Sequence, residues 1–290
     1  MKNKILTENQ IPSVNFHLWE PCNMSCEFCF ASFQDVKKTI LPNGHLPQEE
    51  AIAVVKQLAN LGFEKITFAG GEPTLCPCLP ELIALAKDLG MTTMLVTNGS
   101  KLSDKFLENN RRALDWIAIS IDSLNCSTNS SIGRTLSGNN ALSADFYDAI
   151  IQKIKSYGYG LKINTVVNKY NYREDMLHFI QKANPKRWKV LQVLPIKGQN
   201  DNQIDETRVS TEEFQHFINT HKQAKCMIPE DNDAMMGSYA MVDPAGRFFE
   251  NTKGEHKYSK PIIDVGAISA MEEMNYSLSK FIGRGGVYHW

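Results

Sequence analysis

Apolar runs of strand length alternate along most of this chain with segments whose apolar residues recur at helical spacing. The spacing predicts strands at Val14–Trp19, Lys65–Phe68, Thr92–Thr97, Trp116–Ile121, Gly160–Val167 and Trp188–Ile196. Between them it predicts helices at Gln48–Leu61, Cys78–Leu89, Ser103–Asn109, Asp145–Tyr157 and Arg173–Lys182. Strands separated by helices in this way make a parallel α/β architecture. The turn-forming residues cluster where βα loops would fall, at Gly70–Pro73, Asn98–Ser100 and Ser137–Asn140. After Ile196 the rhythm changes: a polar loop at Lys197–Arg208 leads to a helix at Thr211–Gln223. A hairpin follows, Tyr239–Val242 with Arg247–Phe249 about Asp243–Gly246. We read residues 1–12 as a short lead, 13–196 as the main unit and 197–290 as a C-terminal extension of the same domain.

Charge narrows the function classes. The 290 residues carry 31 Lys+Arg against 32 Asp+Glu, a formal net charge of -1, which argues against a general binder of nucleic-acid polymers or of membranes. It leaves room for a local basic pocket. Met1 to Gln10 contains no apolar stretch of the kind a signal peptide needs, and no run approaches the roughly 18 apolar residues of a membrane span. The expectation is a protein of the reducing cytoplasm, where seven cysteines read as metal ligands or free thiols before they read as disulfides.

Three of those cysteines, Cys22, Cys26 and Cys29, fall within eight residues directly after the first strand. Structural zinc sites usually take four ligands in two pairs, and no second CxxC pair follows here. Three thiolates on a four-iron cluster leave one iron open for a cofactor or substrate. A zinc knuckle lacking its fourth ligand, or unrelated free thiols, are the alternatives. CxxxCxxC in this position, with Phe28 before the last cysteine, resembles the radical S-adenosylmethionine (SAM) superfamily. The resemblance implies a 4Fe–4S cluster whose open iron holds the methionyl amine and carboxylate of SAM, and a 5′-deoxyadenosyl radical that abstracts hydrogen from a substrate. Gly70-Gly71-Glu72-Pro73, past the second strand, matches the loop where this superfamily holds the methionyl amine. The same resemblance makes Asn98 and Ser120, at the ends of the third and fourth strands, ribose contacts, and Arg134 a partner of the SAM carboxylate. Taken singly, each is a polar residue at a strand end or in a loop.

Period-two alternation puts Lys162, Asn164, Val166 and Asn168 on one face of the fifth strand, with Leu161, Ile163, Thr165 and Val167 on the other. Arg187 and Lys189 likewise oppose Trp188 and Val190, and Lys65 and Thr67 oppose Ile66 and Phe68. In a βα barrel the outer face packs on helices, so these cations should point inward. There they need an anion or water. Snorkelling from strand ends explains one lysine; four cations together favour an anion site, and a triphosphate suits lysine and arginine.

The strings around Val14–His17, Lys162–Asn168, Asn184–Val190 and Ile263–Gly266, with Arg284-Gly285-Gly286 near the end, resemble the viperin family from about Ser13 onward. That resemblance implies a partial (βα)6 radical SAM barrel with a C-terminal extension. Its reaction would convert a ribonucleoside triphosphate to the 3′-deoxy-3′,4′-didehydro form, a chain-terminating nucleotide used in antiviral defence. Lys65, Lys162, Arg187, Lys189 and Lys260 would hold the triphosphate, and Mg2+ would accompany the nucleotide. Asn164 and Tyr239 would lie near the ribose. An external reductant of flavodoxin or ferredoxin type would supply electrons. CTP, UTP and GTP all remain open, because 197–258 matches the family least. Animal members carry an amphipathic membrane helix; this chain begins twelve residues before Ser13, so membrane attachment is not implied. Cys76 and Cys78 read as free thiols at a helix start, and Cys126 and Cys226 do not suggest a second cluster. A peptide-modifying radical SAM enzyme and an iron–sulfur sensor are the competing functions. Neither explains a set of inward cations.

Overall fold

The alternation that sorts side chains in the first strand recurs around the sheet. In β1 (Ser13–Trp19), Val14, Phe16 and Leu18 are buried in the main hydrophobic core, while Ser13, Asn15 and His17 face a central cavity. The computed structural model describes residues 10–41, 43–137, 139–201 and 203–290. The lead expected at 1–12 lies, up to residue 9, outside the described residues, as does one residue in each of the loops expected at 137–140 and 197–208.

β1 is followed by α1 (Gln48–Leu61), β2 (Lys65–Gly70), α2 (Leu79–Asp88), β3 (Thr92–Thr97), α3 (Asp104–Asn110) and β4 (Trp116–Ser120). A short α4 (Cys126–Ser131) and a two-stranded ribbon, β5 (Thr135–Leu136) with β6 (Asn140–Ala141), precede α5 (Ala144–Ser156). The chain then runs through β7 (Gly160–Val167), α6 (Leu177–Ala183) and β8 (Arg187–Gln192). The six expected strands thus form neighbours in the order β1-β2-β3-β4-β7-β8, all parallel. Their outer faces (Ile66, Leu95, Ile117, Ile163, Trp188) pack with Val55, Leu58, Leu82, Ile151 and Phe179 of the helices. This is a mixed α/β fold with a partial parallel barrel.

The C-terminal part extends the same sheet at both ends. After α7 (Ile204–Thr207) and α8 (Thr211–Thr220), β9 (Met227–Glu230) pairs parallel with β8. After α9 (Asn232–Met235), β10 (Ala240–Val242) pairs parallel with β1. β10 also forms the expected hairpin with β11 (Arg247–Glu250), with Met241 opposite Phe249, and β12 (Lys257–Pro261) follows antiparallel at the edge. Three short helices, α10 (Ile262–Val265), α11 (Ala267–Glu272) and α12 (Leu278–Gly283), lead to the C-terminal residues. The sequence pattern missed β9, because Pro229 lowers the strand signal; the strand is tolerated at the sheet edge, where a missing N–H donor costs little.

Two boundaries differ from expectation for local reasons. β8 stops at Gln192 rather than Ile196, since Asn200 captures the backbone beyond it: Ile196 N–H donates to Asn200 Oδ1, and Asn200 Nδ2 donates to Leu194 O. α6 begins at Leu177 rather than Arg173. Asn171 holds the preceding turn, its amide donating to Asp122 O and Val166 O. Among the described residues no helix is long and apolar enough to cross a membrane.

Candidate active site

The inward faces of the strands enclose a cavity of about 730 Å³. A volume in this range suits a small-molecule or cofactor site. Its lining falls into two poles set by position along the strands. One pole is built at the strands' C-terminal ends from the loops after β1, β2, β3 and β4. The other is built where β2, β7 and β8 begin, and is covered by the C-terminal residues.

At the first pole Cys22, Cys26 and Cys29 are free thiols that line the cavity. Their loop is held by backbone bonds to the segment after α4, with Ser25 N–H donating to Gly133 O and Glu27 N–H to Ile132 O. Gly133 has φ +68, and a Cβ there would lie 2.2 Å from Ser25 O, so this approach requires glycine. From the other side Glu72 N–H donates to Pro21 O. A Cβ on Gly71 would lie 2.2 Å from Glu20 O, which explains the second glycine of the motif. Gly70 and Gly71 therefore bring the Glu72 loop against the cysteine loop.

Glu72 is buried, and its carboxylate accepts from Thr74 N–H at 3.0 Å, Thr97 Oγ1 at 2.7 Å and Asn98 N–H at 2.8 Å. Asn98 Nδ2 donates to Asn23 Oδ1 at 2.9 Å, tying the end of β3 to the cysteine loop. Arg134 is buried and paired with Asp122, a residue the sequence pattern did not single out. Its guanidinium also reaches Ser120 O at 3.5 Å and sits 6.0 Å from the Phe28 ring. Phe28, Gly70, Gly71, Glu72, Asn98, Ser120 and Arg134 all line this pole.

Burial pushes the Cys22 thiol up to about 11 and that of Cys26 up to about 12, and raises Cys29 as well, while Arg134 opposes the shift in each. The free thiols are therefore neutral at pH 7, and a metal would have to displace their protons. Among the described residues no three His, Cys, Asp or Glu side chains converge on the position of one metal ion. A four-iron cluster does not ask for that, since each thiolate binds a different iron. Three soft sulfur donors facing one cavity beside a buried cation fit such a cluster.

The second pole collects cations. Lys65, Lys162 and Lys189 are buried and line the cavity, with Arg284 beside them. Burial, then the charges of Lys162, Arg284 and Arg187, holds Lys65 well below the usual lysine range. Burial likewise lowers Lys162 to about 7, against the attraction of Glu230. Among the described residues, the ion pairs of this pole go to one carboxylate, that of the fully buried Glu230, which meets Lys189 and, at 3.5 Å, Arg284. Burial weighs against its charge, but Lys189 and Arg284 hold it below the ordinary carboxylate value. The Tyr239 hydroxyl donates to Glu230 and accepts from Lys189 Nζ, while Arg284 stacks 3.6 Å over the Tyr239 ring. Lys65 Nζ donates to Tyr288 Oη at 2.8 Å. Asn164 lies between the poles, with Oδ1 buried and without a hydrogen-bond partner.

Two of the expected residues are not in the lining itself. Lys260 is exposed on β12, the far edge strand, and does not line the cavity; its backbone N–H donates to Glu273. Arg187 begins β8 at the covered end, behind the lining residues Tyr288 and Gly285, and its charge acts on Lys65 and Lys162. Its guanidinium stacks 3.9 Å over the Tyr288 ring and donates to Gly285 O at 2.7 Å. Glu230, Arg284 and Tyr288 were missed as site residues. The Arg284-Gly285-Gly286 string was the one signal that could have drawn attention to them.

A family model described as the radical SAM superfamily matches residues 19–208, and the solved structures with this fold agree. Native anSMEcpe with bound AdoMet covers 90% of this chain and 80% of its own at a TM-score of 0.67 and 15% identity. Streptococcus suis SuiB bound to S-adenosylmethionine covers 81% and 59% at a TM-score of 0.61 and 15% identity. A protein of Flammeovirga pacifica named S-adenosylmethionine-dependent nucleotide dehydratase is 57% identical over 99% of both chains. One of Lacinutrix mariniflava with the same name is 62% identical over 97% of this chain, which spans 59% of that protein's length. The nucleotide dehydratase RSAD2 of Oncorhynchus mykiss is 36% identical over 96% of this chain and 80% of its own. The chain belongs to the radical SAM superfamily and, within it, to the S-adenosylmethionine-dependent nucleotide dehydratases, the viperin family.

Proposed function

We propose that this radical SAM enzyme dehydrates a ribonucleoside triphosphate, CTP, UTP or GTP, to its 3′-deoxy-3′,4′-didehydro analogue. The observation that carries the reading is the single cavity with thiols at one end and Lys65, Lys162, Lys189 and Arg284 at the other. When bound, the cluster and SAM would supply a 5′-deoxyadenosyl radical to take the 4′ hydrogen; loss of the 3′ hydroxyl with a proton as water and one electron from the external reductant would complete the didehydro product. Cys22, Cys26 and Cys29 hold the cluster; Gly70, Gly71 and Glu72 receive the methionyl amine, Arg134 its carboxylate, and Asn98 and Ser120 the ribose of SAM. Lys65, Lys162, Arg187, Lys189 and Arg284 bind the triphosphate by charge-assisted hydrogen bonds, and Mg2+ accompanies it. Asn164 offers its open acceptor to the substrate ribose, near Tyr239.

Residues 197–290 complete the nucleotide site as part of one domain with 13–196, since Glu230, Tyr239, Arg284 and Tyr288 all come from them. An external one-electron reductant of flavodoxin or ferredoxin type and a reducing cytoplasm suit three thiols that must stay unoxidised. A buried cationic pole favours a polyanion over a peptide, and a regulatory cluster has no use for it. The test is anaerobic turnover with triphosphates deuterated at the 4′ carbon. Deuterium should appear in 5′-deoxyadenosine for the true substrate, and its absence with every triphosphate would reject the assignment.

A further inference from the structure

Cys76 and Cys78 take no part in the site just described, yet they stand at its edge. The Glu72 side chain anchors the turn Pro73–Leu75, and Cys76 N–H closes that turn onto Pro73 O at 3.0 Å. Cys78 is the N-cap residue of α2, and Leu82 N–H donates to its carbonyl. Across Pro77 the two sulfurs approach to 3.3 Å. Cys76 is buried, whereas Cys78 is partly exposed. This is the arrangement of an attacking thiol with a resolving thiol behind it. The N-terminus of a ten-residue helix favours a thiolate at Cys78, and the paired thiol lowers it to about 7.

We propose that Cys76 and Cys78 form a reversible dithiol–disulfide site that couples the thiol redox state to the Gly70–Glu72 loop. With a low-molecular-weight disulfide such as oxidised glutathione, the Cys78 thiolate attacks one sulfur and releases glutathione thiolate, which takes up a proton. Cys76, losing its proton, then attacks Cys78 Sγ of the mixed disulfide and releases the second glutathione. Two protein thiols become one disulfide, and one glutathione disulfide becomes two glutathiones. Closing the sulfurs from contact to bonding distance draws Cys76 toward Cys78 and pulls on the Pro73–Leu75 turn. Glu72 Oε1 accepts from Thr74 of that turn and from Thr97, so the strain falls on the group that also orders the end of β3. The consequence for SAM rests on the reading of this loop as the methionyl-amine site; the disulfide itself does not.

The test equilibrates cluster-loaded enzyme anaerobically in glutathione buffers of rising oxidised fraction, traps free thiols by alkylation and maps them by mass spectrometry. A disulfide linking Cys76 to Cys78, with no retained glutathione and full recovery after reduction, is the expected result. Calorimetric titration with SAM should then show affinity several-fold weaker in the oxidised than in the reduced wild type. Cys78→Ser should be insensitive to the buffer, with the cluster's visible absorbance equal in both proteins. If both cysteines stay alkylatable throughout, the site is overturned. A disulfide that leaves SAM affinity unchanged overturns the coupling. Failure of reduced wild type to bind SAM would instead refute the reading of the loop.

Discussion

The two poles of the cavity solve opposite electrostatic problems. At the thiol pole the buried charges are matched within the protein: Glu72 has hydrogen-bond donors from two loops, and Arg134 has Asp122. At the cationic pole Glu230 pairs with Lys189 and Arg284 and attracts Lys162, while the charges acting on Lys65 are those of other cations. A matched pole is pre-organised and changes little when its ligand arrives. An unmatched one stores repulsion that an anion relieves, so ligand affinity, pH and stability are coupled there.

The largest effect belongs to the thiol pole. Cys26→Ala should abolish iron binding and SAM cleavage, because two irons of the cluster would then lack protein ligands to hold them; iron analysis and 5′-deoxyadenosine yield measure it. Normal iron content in this variant would remove the cluster assignment. Next comes Glu72→Ala, which leaves the Asn98 N–H and Thr97 hydroxyl without their acceptor. Each unpaired donor costs about 1–3 kcal/mol, so denaturant unfolding should register a loss of that size and SAM binding should fall with it.

At the cationic pole the expected response is different in kind. Lys189→Ala should weaken triphosphate binding by about tenfold to a hundredfold, the equivalent of one charge-assisted bond, while iron content stays normal. Calorimetry in the presence of SAM reads this directly, and unchanged affinity would remove Lys189 from the site. Lys162 adds a pH signature. Folded, it keeps its proton only below about 7, whereas its ordinary value is 10.5. The unfolded chain binds more protons between those values, so stability without nucleotide should rise with pH across that window, and the destabilisation is fully present below pH 7. Triphosphate binding should accordingly take up a proton above pH 7 and weaken as pH rises. Buffers of different ionisation enthalpy would show the uptake, and Lys162→Met should reduce it, leaving the share of Lys65. The smallest effect is Lys260→Ala, which should leave nucleotide affinity unchanged, since the side chain lies outside the cavity.

The same division explains what the sequence disclosed. The thiol pole is written in short strings directly after strands, Cys22–Cys29 and Gly70–Glu72, where residue types and spacing are read together. Period-two alternation also found Lys65, Lys162 and Lys189, because each sits in a strand of the parallel sheet whose outer face is plainly apolar. Lys260, which only the family resemblance had offered, lies on an antiparallel edge strand outside the cavity lining. The alternation rule could not find Glu230, since Pro229 obscured β9. Nor could it find Arg284 and Tyr288, whose roles depend on where the C-terminal segment docks rather than on any local pattern.

The central claim is that the anion drawn to the unmatched pole is the substrate of the radical formed at the matched one. Product analysis of the reduced, cluster-reconstituted protein with SAM and each nucleoside triphosphate tests it most directly. The account predicts 5′-deoxyadenosine in equal amount to a nucleoside triphosphate that has lost one water. Abundant 5′-deoxyadenosine with every triphosphate recovered intact would contradict it.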